Sequence, residues 1–100
     1  MDEEQDRTKM PRPHKQRRIR GSPCSSYFKP AGIRMIDLEE SILNISEFEA
    51  IRLIDFKEIP QEQAAKQMQI SQPTLSRILK GGRKKVADSI INGKAIKIEK

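Results

Sequence analysis

Residues 61–80 read QEQAAKQMQISQPTLSRILK, and no other stretch restricts the fold as strongly. Ala64, Ala65 and Met68 share one helical face, and side chains as small as alanine let a second helix approach closely. Pro60 is comfortable in a first turn, so a helix is expected over Gln61–Met68. Gln69 and Ile70 break its pattern. Ser71 is a good N-cap, Pro73 suits the next first turn, and Leu75, Ile78 and Leu79 supply the inward stripe of a further helix. Gln72, Thr74, Ser76, Arg77 and Lys80 are left facing outward. Two short helices, a tight turn, small residues at the crossing and a polar face on the second helix describe a helix-turn-helix.

Upstream, SEFEAIRLIDF (residues 46–56) opens on a capping box of Ser46 and Glu49, which starts a helix at Ser46 and carries it to Phe56. Ile45 can staple onto Ala50, and Phe48, Ile51, Leu53 and Ile54 give this helix a broad apolar surface. IDLEE, from Ile36 to Glu40, makes one helical turn. CSSYFKPAG is an extended piece closed by a turn, with Tyr27 and Phe28 at the core edge. Downstream, the adjacent Gly81 and Gly82 would together cost a helix about 2 kcal/mol, which predicts a kink or an end there. RKKVADSIING then reads as more helix, with Val86, Ile90 and Ile91 inward and Gly93 as its C-terminal cap. KAIKIEK alternates apolar and charged residues as a strand does. A lone strand needs a partner edge, either the segment around Tyr27–Lys29 or a strand from a second copy of the chain.

The expected architecture is therefore mainly α: a helix-turn-helix domain of three to four helices, a short C-terminal β-strand and a disordered basic N-terminal arm. It divides into an arm over 1–21, an extended segment with a short helix over 22–45, the helix-turn-helix core over 46–93 and the strand over 94–100. The arm follows from charge. Residues 2–6 carry four acids, whereas MPRPHKQRRIRG carries Arg12, Lys15, Arg17, Arg18 and Arg20 with no acid. So few apolar residues beside two prolines cannot order the segment alone. Its bases are either a solubilising tail or a set of phosphate contacts.

Charge also bounds the partners. The 100 residues carry a net charge of +6, and the field of a basic protein concentrates polyanions around it. Arg77, Lys80, Arg83, Lys84 and Lys85 fall within nine residues with no acid among them, on and just after the polar face of the helix launched at Ser71. Such a cluster neutralises phosphates and releases counterions, giving salt-sensitive affinity for a duplex. Reading bases needs short donors and acceptors in the first turns. Gln72, Ser76 and Arg77 have that chemistry, glutamine suiting adenine edges and arginine guanine, and Thr74 can touch a thymine methyl or a phosphate.

Other classes find little support. Cys24 is the only cysteine, so an internal disulfide or a thiolate zinc cluster is not available within one chain. His14, the only histidine, falls in the arm, and no serine or cysteine has a base paired with it by a recognisable motif. No catalytic residue, metal site or cofactor is expected, and Glu39, Glu40, Glu47 and Glu49 are read as helix-capping and solubilising acids. Without a long apolar run or a secretory h-region, the expected location is the cytoplasm, away from membranes.

With these residues in hand, the chain resembles the DUF134, or UPF0251, family of small predicted DNA-binding proteins. The resemblance rests on MPRPHKQRRIRG, YFKPAGI, SEFEAIRLIDF, QEQAAKQMQISQPTLSRIL and RKKVADSIINGKAIKIE, which span nearly the whole chain. That family's helix-turn-helix is similar to region 4 of sigma factors, whose third helix enters the major groove. The resemblance implies duplex DNA as partner and carries the contact onto Gln72, Thr74, Ser76, Arg77 and Lys80; Ser71, which launches the helix, is counted among the expected DNA-binding residues beside them. This chain departs from the pattern at Gln69, where the turn usually has glycine, so either Gln69 is left-handed or the turn is built differently. The expected function is a sequence-specific transcriptional regulator acting as a homodimer. A module docking on RNA polymerase or a regulator, and a basic RNA-binding protein, are the alternatives.

Overall fold

The structure, a computed structural model, describes residues 18–99. Of the arm assigned to residues 1–21, residues 1–17, with Arg12, Lys15 and Arg17, lie outside the described residues. The elements run β1 (Tyr27–Phe28), a short 3-10 turn (Met35–Asp37), β2 (Glu40–Asn44), α1 (Ile45–Ile51), α2 (Gln61–Met68), α3 (Gln72–Asn92) and β3 (Ala95–Glu99). The chain is mainly α, as the sequence leads one to expect.

Helix α1 starts one residue earlier than Ser46. Asn44 is its N-cap: the Asn44 side chain accepts the Glu47 backbone N–H at 2.8 Å, and the Glu47 carboxylate accepts that of Asn44 at 3.0 Å. The capping box is thus Asn44 with Glu47, because the Glu49 carboxylate is engaged elsewhere. Beyond Ile51 the helix widens into π-type turns over Arg52–Phe56, closed by the Lys57 N–H on the Arg52 carbonyl at 2.9 Å.

Helix α2 spans Gln61–Met68 as expected, and the αL residue that ends it is Gln69, at φ 59° and ψ 44°. Ser71 caps α3, which runs unbroken for 21 residues to Gly93. The kink or end expected at Gly81–Gly82 is absent. The two glycines instead let α3 approach α1: a Cβ on Gly82 would stand 3.1 Å from the Glu47 Cβ and 3.2 Å from the Ile51 Cδ1. Packing of the two helices offsets the propensity cost of the glycines.

The C-terminal strand finds both partners within its own chain. β3 lies between β1, antiparallel with Phe28 opposite Ile96, and β2, parallel with Glu40 opposite Ala95 and Asn44 opposite Glu99. Residues 40–44 are therefore a strand, and the helical turn assigned to 36–40 is confined to Met35–Asp37. The strand's need for a partner edge no longer argues for a second copy.

The core is small and aliphatic. Ala50, Leu53, Ala64, Ala65, Met68, Leu75 and Leu79 are buried together, with Ile51, Ile54, Ile59, Ile70 and Ile78 packed against them. Ile90 and Ile91, expected inward, are 72% and 79% exposed. The buried stripe of α3 passes through Leu75, Leu79, Gly82 and Ser89, and successive residues turn 100°, so Ile90 and Ile91 rotate away from it. Phe28, expected at the core edge, is exposed, while Tyr27 is half-buried and its hydroxyl donates to Glu40 at 2.8 Å.

Candidate nucleic-acid interface

α2 and α3 meet through Ala64, Ala65 and Met68, all at or below 3% exposure. Because α2 is fixed behind α3, the outer side of α3 is defined by its own periodicity. Pro73, Arg77, Lys80 and Lys84 follow one another at four-, three- and four-residue steps and are all exposed. At 1.5 Å per residue this line is about 17 Å long. Gln72 and Ser76 flank it, also exposed, and with Gln61 and Pro73 they line an open hollow of about 300 Å³ between the starts of the two helices.

Ser71 and Thr74 belong to the cap more than to the outer face. The Ser71 Oγ accepts the Thr74 backbone N–H at 3.3 Å, and its hydroxyl donates to the Thr74 Oγ1 at 2.8 Å. Thr74 is half-buried as a result.

The basic cluster separates into two groups. Arg83 grips Asp55 with two hydrogen bonds, 2.6 and 3.2 Å, and this contact raises its already high pKa further. Lys85 donates to the Glu47 carboxylate at 2.9 Å, the same oxygen that closes the α1 capping box. Among the described residues, Arg77, Lys80 and Lys84 have no ion pair within 4.0 Å. The expected site residues of α3 thus share one helix, but Arg83 and Lys85 are turned toward acids of α1 and its π-type extension. The end of α3 is fixed similarly, with Asp88 accepting from Asn92 at 2.7 Å and from Lys94 at 2.8 Å. Lys94 foremost, then Asn92, holds the Asp88 carboxyl below its ordinary pKa.

Of the arm, Arg18 and Arg20 are described, and both are exposed while Ile19 between them packs on the core. Arg18–Gly21, expected as the end of a disordered arm, are bound to the body. The Arg18 N–H donates to the Met68 carbonyl at 3.1 Å, beside the turn into α3. The N–H groups of Arg20 and Gly21 donate to the Glu49 carboxylate at 3.1 and 3.2 Å. Arg52 completes that carboxylate's shell with bonds of 2.8 and 2.9 Å. Glu49, read from sequence as a capping acid, is 1% exposed. Little in the sequence signals the role of Glu49, Arg52 and Gly21: an acid and a base stand three residues apart, but on a helix that also carries Glu47 and Asp55.

Among the described residues, no group of three or more His, Cys, Asp or Glu side chains is arranged to hold a metal. No helix there is long and apolar enough to cross a membrane.

Over residues 7–100 the chain matches the model of a family described as a protein of unknown function, DUF134. A UPF0251 protein of Caldanaerobacter subterraneus is 50% identical over 90 residues, covering 90% of this chain and 76% of that protein. One from Dehalococcoides mccartyi is 53% identical over 90 residues, with 90% and 77% of the two chains covered. One from Moorella thermoacetica is 49% identical over 90 residues, 90% of this chain and 60% of that protein. No solved structure matches. The chain is a member of the DUF134 family, carried by the UPF0251 proteins.

Proposed function

We propose that this protein binds duplex DNA by laying the first turns of α3 in the major groove, and that it regulates transcription without catalysing a reaction. The observation that carries this reading is the continuous exposed line Pro73, Arg77, Lys80 and Lys84, flanked by Gln72 and Ser76, on a helix backed by the close-packed α2. Gln72, Ser76 and Arg77 supply base-edge donors and acceptors, and Lys80 and Lys84 supply phosphate contacts farther along the groove. Ser71 and Thr74 fix the helix start and can meet a phosphate there. Arg83, in an exposed pair with Asp55, can exchange its partner for a phosphate, whereas Lys85 serves mainly to hold α3 on α1.

In this reading the protein acts in the cytoplasm as a homodimer. The exposed Ile90 and Ile91 favour a contact between the C-terminal halves of two α3 helices. Two reading segments would then meet successive major grooves about 34 Å apart. Docking on RNA polymerase is a second reading, favoured by Phe56, an aromatic 81% exposed at the end of the π-type turns.

A salt titration of duplex binding tests the first reading. Affinity is expected to fall on the order of a thousandfold between about 50 and 200 mM salt, and selection from random duplexes should converge on one sequence. Undetectable duplex binding at low ionic strength would end it.

A further inference from the structure

The root of the N-terminal arm is held by more polar machinery than a tether requires. Two successive backbone N–H groups, of Arg20 and Gly21, enter the Glu49 carboxylate, and Arg52 also binds both of its oxygens. Gly21 leaves room for this: a Cβ there would fall onto the Arg52 side chain at Nε and Cδ. One residue earlier, Ile19 packs against the core. Arg18 and Arg20, on either side of it, are both exposed. The Arg18 N–H on the Met68 carbonyl sets this pair beside the turn that launches α3.

A buried ion pair is a weak means of stabilising a fold, since an apolar contact of equal size does as well or better. What this one adds is direction. It fixes the backbone from which two arginines project, and a donor held in place gives up less freedom when it meets its partner. We infer that the clasp of Glu49, Arg52 and Gly21 makes residues 18–21 a fixed second contact for the duplex backbone, with Arg18 and Arg20 on phosphates next to those met by α3 and Glu49 as the positioning residue. This rests on the reading of α3 as a groove-binding helix.

The test uses the full chain with a mixed-sequence duplex and four proteins: wild type, the double variant Arg18→Gln with Arg20→Gln, Gly21→Ala, and the combination of all three changes. The double variant should lower the slope of log affinity against log salt by about two for each bound protomer. Gly21→Ala, which leaves both arginines and the core intact, should weaken binding about threefold to tenfold in the wild-type background and not at all when the arginines are already gone. Glu49→Gln should behave like Gly21→Ala, and circular dichroism checks that each variant is folded. Trypsin supplies a readout that needs no DNA, as cleavage after Arg20 should be faster in Gly21→Ala than in wild type. An unchanged slope in the double variant, an equal effect of Gly21→Ala in both backgrounds, or unaltered trypsin cleavage would each overturn the inference while leaving groove binding by α3 standing. If wild type binds no duplex, both readings fall together.

Discussion

Gly82 of α3 rests on Glu47 of α1, so close that an added Cβ would be 3.1 Å from the Glu47 Cβ. The same Cβ would meet the Ile51 Cδ1 at 3.2 Å; the Glu47 Cβ is carried by the α1 backbone and cannot yield without shifting the helix, and Ile51 is packed against the core. Replacing Gly82 by alanine should therefore destabilise the fold by about 1–2 kcal/mol, overpacking outweighing a propensity gain of about 1 kcal/mol. Gly81 differs, because a Cβ there meets only the Glu47 Oε2, at 3.1 Å. That oxygen ends a side chain and need give only a few tenths of an ångström, with the Glu47 Oε1 still held by Asn44 and Lys85, so Gly81→Ala should stabilise by about 0.5–1 kcal/mol. Urea midpoints of the two variants should move in opposite directions. A shared direction would mean that α1 and α3 are not in contact at this crossing.

Acid stability should depend on Glu49. Burial pushes its pKa up, but hydrogen bonds from Arg52 and from the backbone of Arg20 and Gly21 outweigh it and hold the carboxyl below its ordinary value. With the folded pKa below the unfolded one, the contribution is complete above the unfolded value of about 4.3 and is lost as pH falls through the folded one. Denaturant midpoints of wild type should therefore drop more steeply below about pH 4.3 than those of Glu49→Gln. Parallel curves would show that the clasp contributes nothing that titrates.

Where the chemistry is local, the sequence was sufficient. The Ser71 cap, the alanine pair and the outward positions of Gln72, Ser76, Arg77 and Lys80 depend on neighbours within a turn or two. Where a distant partner decides, it was not. Two overlapping capping boxes, Asn44 with Glu47 and Ser46 with Glu49, fit the same residues, and the choice is made by Arg20, Gly21 and Arg52, which draw Glu49 away. Strand β2, ESILN, has no apolar alternation to announce it, and the strand it pairs with is distant in sequence, Ala95 standing opposite Glu40. Gly82 reads as a helix breaker until Ile51 and Glu47 are seen against it. Arg83 and Lys85 look like free cations until Asp55 and Glu47 reach them from elsewhere in the chain.

That pairing divides the basic residues of α3 by effect. Removing Lys80 or Lys84, each to alanine, should lower the salt slope of duplex binding by about 0.9 for each bound protomer and weaken all sequences alike. Arg77→Ala should also cost about 1–3 kcal/mol of discrimination at one base pair. Lys85→Ala should leave the slope nearly unchanged and lower thermal stability instead, because its partner Glu47 is 7% exposed and would be left without it. Equal slopes for Lys84→Ala and Lys85→Ala would erase this division.

Self-association should be carried by the end of α3. Ile90 and Ile91 are 72% and 79% exposed, and adjacent apolar side chains on a helix surface favour burial against a matching surface. Sedimentation at micromolar concentration should give a dimer for wild type and a monomer for Ile90→Ser with Ile91→Ser. Duplex affinity should fall in the variant, since two linked contacts bind more tightly than one. A monomeric wild type would remove the dimer from the proposed function and leave the α3 surface unaffected.

The turn between α2 and α3 holds the last adjustable element. Gln69 sits at φ 59° and ψ 44°, where an L-residue with a Cβ is disfavoured by about 1–2 kcal/mol and glycine is not. The backbone geometry itself is satisfied, with the Gln69 N–H on the Lys66 carbonyl and the Ile70 N–H on the Ala65 carbonyl, both at 3.1 Å. Only the side chain is misplaced, and it is exposed. Gln69→Gly should therefore stabilise the protein by about 0.5–1 kcal/mol, the relief of the left-handed strain exceeding the added entropy of the unfolded chain. Gln69→Ala keeps the Cβ and should gain nothing. Thermal melts of the two variants decide the matter: if glycine and alanine behave alike, the left-handed residue is not the source of strain in this turn.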